Sequence, residues 1–251
     1  MPAYTEGRFV WHELMTPDIE KSKGWYGELL GWTYQEMSMP NMTYTMIQAG
    51  STGVGGFMSL DALPKGVPPH WLGYVSADAD AVASATRKAG GQVLHEPFDV
   101  GDVGRIAVLS DPTGGVWATY RGAKGDEPEP ERPAVGTFCW DQLNTSDPAK
   151  AATFYGSVLG WTTRPFEGAA DLQVFRRAGG KDAGSLMKAP PGVPSHWLSY
   201  VLVSNLSQTR QRAAKLGGRV HLEHQDVPGV GAISVVADGF GAALGLFEPK
   251  A

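Results

Sequence analysis

The stretch "FVWHELMTPDIEKSKGWYGELLGW", Phe9 to Trp32, decides the fold, because the chain carries it twice. It lies without a gap over "FCWDQLNTSDPAKAATFYGSVLGW", Phe138 to Trp161. Trp11 falls on Trp140, Asp18 on Asp147, Tyr26 on Tyr155 and Trp32 on Trp161. Two further pairs follow in the same order. "GVPPHWLGYV" (66–75) matches "GVPSHWLSYV" (192–201), and "DVGDVGRIAVLSDPTGG" (99–115) matches "DVPGVGAISVVADGFGA" (226–242). Self-similarity of this kind marks a repeated architecture. The expected organisation is a first domain over 1–121, a linker over 122–135 and a second domain over 136–251. The segment "RGAKGDEPEPERPAVG" (121–136) is charged and proline-rich, as an exposed linker should be.

Each half holds a weaker repeat of its own. The strand "RFVWHELM" leads to Asp18, which can cap the first turn of a helix. Ile19, Tyr26, Leu29 and Leu30 give that helix an apolar face, and Gly31 can end it. "WTYQEMS", "YTMIQAG" and "GVGGFMSL" then read as three strands separated by turn residues. The pattern restarts at His70. The chain is thus read as four βαβββ modules of α+β class, paired so that mixed sheets curl around a concavity.

Composition sets the limits on function. The 251 residues carry a net charge of -5, which argues against a partner held by phosphate neutralisation. Cys139 is the single cysteine, so no internal disulfide forms, and a reducing cytoplasm is expected. The segment "MPAYTEGRF" has neither the basic nor the apolar part of a secretory signal. No apolar run approaches the ~18 residues of a membrane span, so no membrane partner is expected. The glycine runs "GSTGVGG" and "GDVGR" lack the strand–loop–helix context of a phosphate loop.

The segments "TPDIEKSKGWYGELLGW", "SDPAKAATFYGSVLGW" and "LSDPTGGVW" resemble the vicinal oxygen chelate superfamily of glyoxalases, extradiol dioxygenases and bleomycin-resistance proteins. In the second half the Asp-Pro-x-Gly turn has become "VADGFGAAL". The likeness is to the two-domain actinobacterial branch. It implies sites on the inner faces of the curled sheets, and a divalent metal held by His, Gln and Glu from the first and last strands of each module.

The ligand positions that the resemblance implies are mostly filled by residues that cannot ligate. They fall on Trp11 and Trp140, near Phe57 or Met58 and Leu186 or Met187, and on Ala118 and Gly245. The second-module first strand offers His70 or Trp71, and His196 or Trp197. No cofactor is therefore expected, and a divalent metal is disfavoured. A shifted site using Glu13 and His70 is the alternative. His12 and Glu13 do not form an adjacent ligand pair, because neighbours on a strand point to opposite faces. The family register turns Phe9, Trp11, Glu13 and Met15 inward.

What remains is a cavity of aromatics and methionines with a few polar groups, suited to a flat or apolar small molecule. Its candidate lining is Trp11, Met46, Phe57, Met58, Trp71 and Trp117 in the first half. Trp140, Gln142, Phe175, Met187, His196 and Trp197 line it in the second. The competing reading is that these side chains simply fill a core. Glu13, with His70, is the candidate catalytic group, since a carboxylate on an apolar face is costly without a partner and burial raises its pKa. Three functions remain open: acid–base or oxidative chemistry on a small aromatic or carbonyl-rich molecule, sequestration of such a molecule, and a metal-dependent lyase or dioxygenase with shifted ligands. The counterpart of Glu13 is Gln142, which points to chemistry in the first half. The protein is expected to be a monomer with paired domains or a homodimer.

Overall fold

The computed structural model describes residues 2–39 and 42–250. The first module is β1 (Phe9–Thr16), α1 (Ile19–Leu30), β2 (Thr33–Met39), β3 (Met42–Ala49) and β4 (Thr52–Ser59). The second is β5 (His70–Ser76), α2 (Ala79–Lys88), β6 (Gln92–Val100), β7 (Gly104–Ser110) and β8 (Val116–Gly122). The third is β9 (Phe138–Thr145), α3 (Pro148–Leu159), β10 (Thr162–Phe166), β11 (Ala169–Arg176) and β12 (Asp182–Lys188). The fourth is β13 (His196–Leu202), α4 (Leu206–Lys215), β14 (Arg219–Val227), β15 (Gly231–Ala237) and β16 (Ala243–Pro249). These are the four βαβββ modules that the repeat implied.

The local chemistry explains the helix ends. Asp18 accepts from Lys21 N at 3.0 Å, and Asp147 accepts from Lys150 N at the same distance. Each supplies an acceptor for a first-turn N–H that has no partner inside the helix. Gly31 and Gly160 close α1 and α3 at φ 71 and 68, a left-handed conformation that costs glycine least.

Each half of the sequence forms one eight-stranded mixed sheet, ordered β2-β3-β4-β1-β5-β8-β7-β6 in the first and β10-β11-β12-β9-β13-β16-β15-β14 in the second. The β1–β4, β5–β8, β9–β12 and β13–β16 pairs are parallel, and the hairpins are antiparallel. Compact units cut across the halves. One takes residues 1–11, 73–130 and 141–197, and the other takes 12–72, 131–140 and 198–251. Each unit therefore combines one module from each half.

The second of these units is packed around Tyr26, which is fully buried with Trp32, Phe57 and Trp71. Tyr26 stacks on Trp32 with ring centroids 5.6 Å apart, and meets Trp71 edge-on at 5.4 Å. Its hydroxyl accepts from Trp71 Nε1 at 3.1 Å and donates to Asp238 Oδ2 at 3.3 Å. The other carboxylate oxygen of Asp238 accepts from the N–H groups of Phe240 and Ala242. Burial pushes the phenol of Tyr26 well above its usual range, and the neighbouring Asp238 adds to this. Burial likewise raises the Asp238 carboxyl.

The other unit repeats the arrangement. Tyr155 stacks on Trp161 at 5.5 Å and meets Trp197 edge-on at 5.5 Å. Its hydroxyl accepts from Trp197 Nε1 at 2.9 Å and donates to Asp111 Oδ2 at 3.1 Å. Asp111 Oδ1 holds its own turn through Thr113 N and Gly115 N.

The charged segment after β8 is held as well as exposed. Asp126 accepts from Thr5 N, the Glu127 carbonyl accepts from Arg8, and Glu129 bonds the buried Arg177 and the exposed Lys181. Among the described residues, no helix is long and apolar enough to cross a membrane.

Replacing Tyr26 or Tyr155 by Phe strands a buried carboxylate oxygen and a buried indole N–H. Each unpaired group costs about 1–3 kcal/mol, so either variant is expected to lose roughly 2–5 kcal/mol in urea-induced unfolding. A loss below about 0.5 kcal/mol would show that these bonds do not hold the units together.

Candidate functional site

The face of β1–β4 turned away from α1 carries the candidate chemistry. Strand register sets its rows. Glu13 pairs with Gly56, and Gly56 with Met46. Met15 pairs with Met58, and Tyr44 with Met37. Because side chains alternate along a strand, Glu13, Met15, Tyr44, Met46 and Met58 share this face. The opposite face holds Leu14 and Phe57, both buried beneath α1.

Tyr44 lies across β4 and donates its hydroxyl to Glu13 Oε1 at 2.9 Å. Gly56 makes this reach possible, since a Cβ there would sit 2.0 Å from the Tyr44 hydroxyl oxygen. Tyr44 escaped the sequence reading because its role depends on a glycine on β4, the strand that lies between Tyr44 and Glu13. The only signal available was "GVGGFMSL", a strand with small residues where another side chain can approach.

His70 and His196 occupy equivalent places. His70 Nδ1 lies 2.8 Å from the Pro68 carbonyl, and His196 Nδ1 lies 2.9 Å from the Pro194 carbonyl. A carbonyl can only accept, so each Nδ1 carries the hydrogen, and in the neutral ring Nε2 presents a lone pair. Burial lowers the pKa of His70, against a smaller upward effect of the Pro68 carbonyl.

In the second half the corresponding face carries an amide where the first carries Glu13. Gln142 pairs with Ser185, and Asn144 with Met187. Gln142 Nε2 donates to Asn144 Oδ1 at 2.9 Å, and Asn144 Nδ2 lies 3.4 Å from His196 Nε2. The first half has Met15 where Asn144 stands, so it cannot form the same amide link.

The remaining sequence candidates divide clearly. Trp11, Met46, Met58, Trp140, Met187 and His196 are half-buried on their strands. Phe57 packs against Tyr26 and Tyr34 in the core. Trp71 and Trp197 are buried, with their indole N–H groups on Tyr26 and Tyr155. Trp117 and Phe175 are fully buried in the core beside Tyr155. The structure thus groups Glu13 with Tyr44 and the methionines, and places these aromatics in the packed interior.

Among the described residues, no three His, Cys, Asp or Glu side chains converge to hold an ion. The last-strand position at Ala118 is fully buried. At Gly245 a Cβ would lie 2.2 Å from the Tyr200 ring, so that ring occupies the space a longer ligand would need.

Two family profiles match the sequence. One, described as bleomycin resistance protein-like N-terminal, covers residues 8–50, and the other, a glyoxalase-like domain, covers 137–247. The chain is 35% identical over 256 residues to "Putative glyoxylase CFP32" of Mycobacterium tuberculosis, covering 98% of this chain and 96% of that protein. The chain belongs to the vicinal oxygen chelate superfamily. It is also 29% identical to the anthracycline biosynthesis protein DauV of Streptomyces sp. (strain C5), covering 99% of this chain and 95% of that one. The fold is shared with the Mn(II)-bound glyoxalase of Novosphingobium aromaticivorans, at TM-score 0.64 and 15% identity, over 99% of this chain and 83% of that one. The 2,3-dioxygenase LapB of Pseudomonas sp. KL28 aligns at TM-score 0.62 and 10% identity, over 100% and 94% of the two chains.

Two measurements check the geometry. Gly56→Ala is expected to cost about 1–3 kcal/mol through overpacking against Tyr44, and close to nothing in a Tyr44→Ala background. Equal costs in both backgrounds would mean that Tyr44 does not lie over β4. His70 should titrate below its ordinary value of 6.5, as followed by ring NMR signals. A histidine with a lowered folded pKa favours the fold when neutral. Its contribution is therefore present above the unfolded pKa and is lost as pH falls through that value toward the folded one.

Proposed function

We propose that the protein binds and transforms a small, flat aromatic or carbonyl-rich molecule at the β1–β4 face, with Glu13 as the acid–base group. The Tyr44–Glu13 hydrogen bond carries this reading. A general base must be held in one orientation to meet its proton, and a tyrosine hydroxyl fixed over a glycine does that. The methionines beside it supply a polarizable apolar surface that adapts to a ring system. His70, kept neutral by burial, offers a second proton acceptor at Nε2.

The relatives support the substrate class. DauV and DnrV are named as anthracycline biosynthesis proteins, and anthracyclines are fused-ring, carbonyl-rich molecules. In the proposed reaction Glu13 removes a proton from carbon or oxygen beside a carbonyl, and Tyr44 steadies the carboxylate. The second half, with Gln142, Asn144 and His196 joined in a hydrogen-bonded chain, contributes binding alone.

A second reading rests on the bleomycin resistance-like match over residues 8–50. There the same face holds a planar compound without changing it.

Glu13→Gln separates the two. With a panel of hydroxyanthraquinones, product is followed by chromatography and binding by fluorescence quenching. An enzyme should lose at least about 100-fold in turnover while its affinity changes less than about threefold, in line with the usual contribution of a positioned acid or base. Ligand recovered intact from both the parent protein and the variant would sink the catalytic reading and favour sequestration. Stoichiometric divalent metal in the purified, active protein would overturn both.

A further inference from the structure

A cleft of about 220 Å³ opens beside the C-terminal end of α1, the last residues of the linker and the start of α4. Leu29, Leu30, Val135, Leu202 and Val203 give it an apolar lining, and Arg212 also lines it. All these residues lie in one compact unit. The cleft does not include Glu13 or Tyr44 in its lining.

The internal repeat serves as a control. Val135 occupies the position of Glu6 in the first half, because Gly136 and Gly7 are repeat partners with φ of 85 and 77. Glu6 is ion-paired with Arg121 at 2.6 Å, whereas Val135 is an apolar side chain left 58% exposed. Arg212 aligns with Ala85, counting back from the paired glycines Gly217–Gly218 and Gly90–Gly91. The β13–α4 connection is also one residue longer than the β5–α2 connection, with Asn205 and Asp78 as the matching N-caps. An exposed apolar residue, an added cation and an added loop residue thus converge on one spot. The other half folds without any of them.

Arg212 is available for a ligand. Its Nη1 reaches the Glu28 and Leu29 carbonyls at 3.5 Å each, the outer limit of a hydrogen bond. Among the described residues it forms no ion pair. A guanidinium has five N–H donors in a planar fork, so most of its capacity stays uncommitted. The helix start adds little to the charge on offer. Gln208 N is taken by Asn205, and Leu206 N by Glu248 at 2.7 Å.

We propose that this cleft binds a small organic carboxylate, with its apolar body on Leu29, Leu30 and Val135 and its carboxylate on the Arg212 fork. The volume falls below the ~300 Å³ of a site for drug-sized ligands, which selects a single ring or a short chain. The pairing of a planar fork with a carboxylate selects an acid over a neutral alcohol.

The test is a titration of the full-length protein with sodium benzoate, followed by methyl NMR signals of Leu29, Leu30, Val135, Leu202 and Val203. Saturable shifts confined to these residues are expected. Arg212→Ala, and separately benzyl alcohol in place of benzoate, should weaken binding by at least about tenfold, the scale of one charge-assisted bond. Val135→Glu, which restores the residue of the other half, should weaken it as strongly by placing a like charge beside the carboxylate. Both positions are exposed, and circular dichroism melting verifies that the variants fold. Should Arg212→Ala fail to fold, Val135→Glu and benzyl alcohol decide the question. Shifts that do not saturate, that map elsewhere, or that survive unchanged in a folded variant overturn the proposal.

Discussion

The structure depends on a buried hydrogen bond made twice, from Tyr26 to Asp238 and from Tyr155 to Asp111. In each the tyrosine comes from a helix of one half of the sequence and the aspartate from a turn of the other. A carboxylate taken out of water needs donors on its oxygens, or the fold loses several kcal/mol. Here the turn's own N–H groups serve one oxygen and the tyrosine serves the other. The tyrosine hydroxyl in turn accepts a tryptophan indole, so each bond completes a chain that leaves none of these buried groups stranded. This explains how one module of each half comes to share a compact unit with one of the other. The aspartate of the recurring turn and the tyrosine of the recurring helix are each other's partners.

A repeat allows structure and function to be told apart inside one chain. Positions that hold the units are alike in both halves: Tyr26 and Tyr155, Trp32 and Trp161, Trp71 and Trp197, Asp111 and Asp238. Positions on the open sheet faces are not. Glu13 stands against Gln142, Met15 against Asn144, and Gly56 against Ser185. By the same register Tyr44 stands against Leu172. The first half has thus become an acidic, methionine-rich face, and the second an amide–imidazole chain.

Much of the fold was legible because it is local. The helix caps at Asp18 and Asp147, the closing glycines and the strand punctuation each act within a few residues, so the four modules could be counted from the sequence. The candidate site was legible only in part. Glu13 stands out in the sequence because a carboxylate among apolar neighbours is visible in one dimension. The inward or outward sense of Trp71 and Trp197 was not, because His70 and Trp71 are adjacent on a strand and a one-residue shift exchanges their faces.

By itself, then, the sequence determined the duplication, the βαβββ order and the unequal pair Glu13 and Gln142. Each of these is fixed by residue identity or by short-range geometry. Only the tertiary structure decided that Tyr44 holds Glu13, that Trp71, Trp117 and Trp197 fill cores, and that the halves exchange modules through Tyr–Asp bonds. Those outcomes join residues on different strands or different halves. They follow from strand register and from the need to satisfy buried polar groups, neither of which is written along the chain.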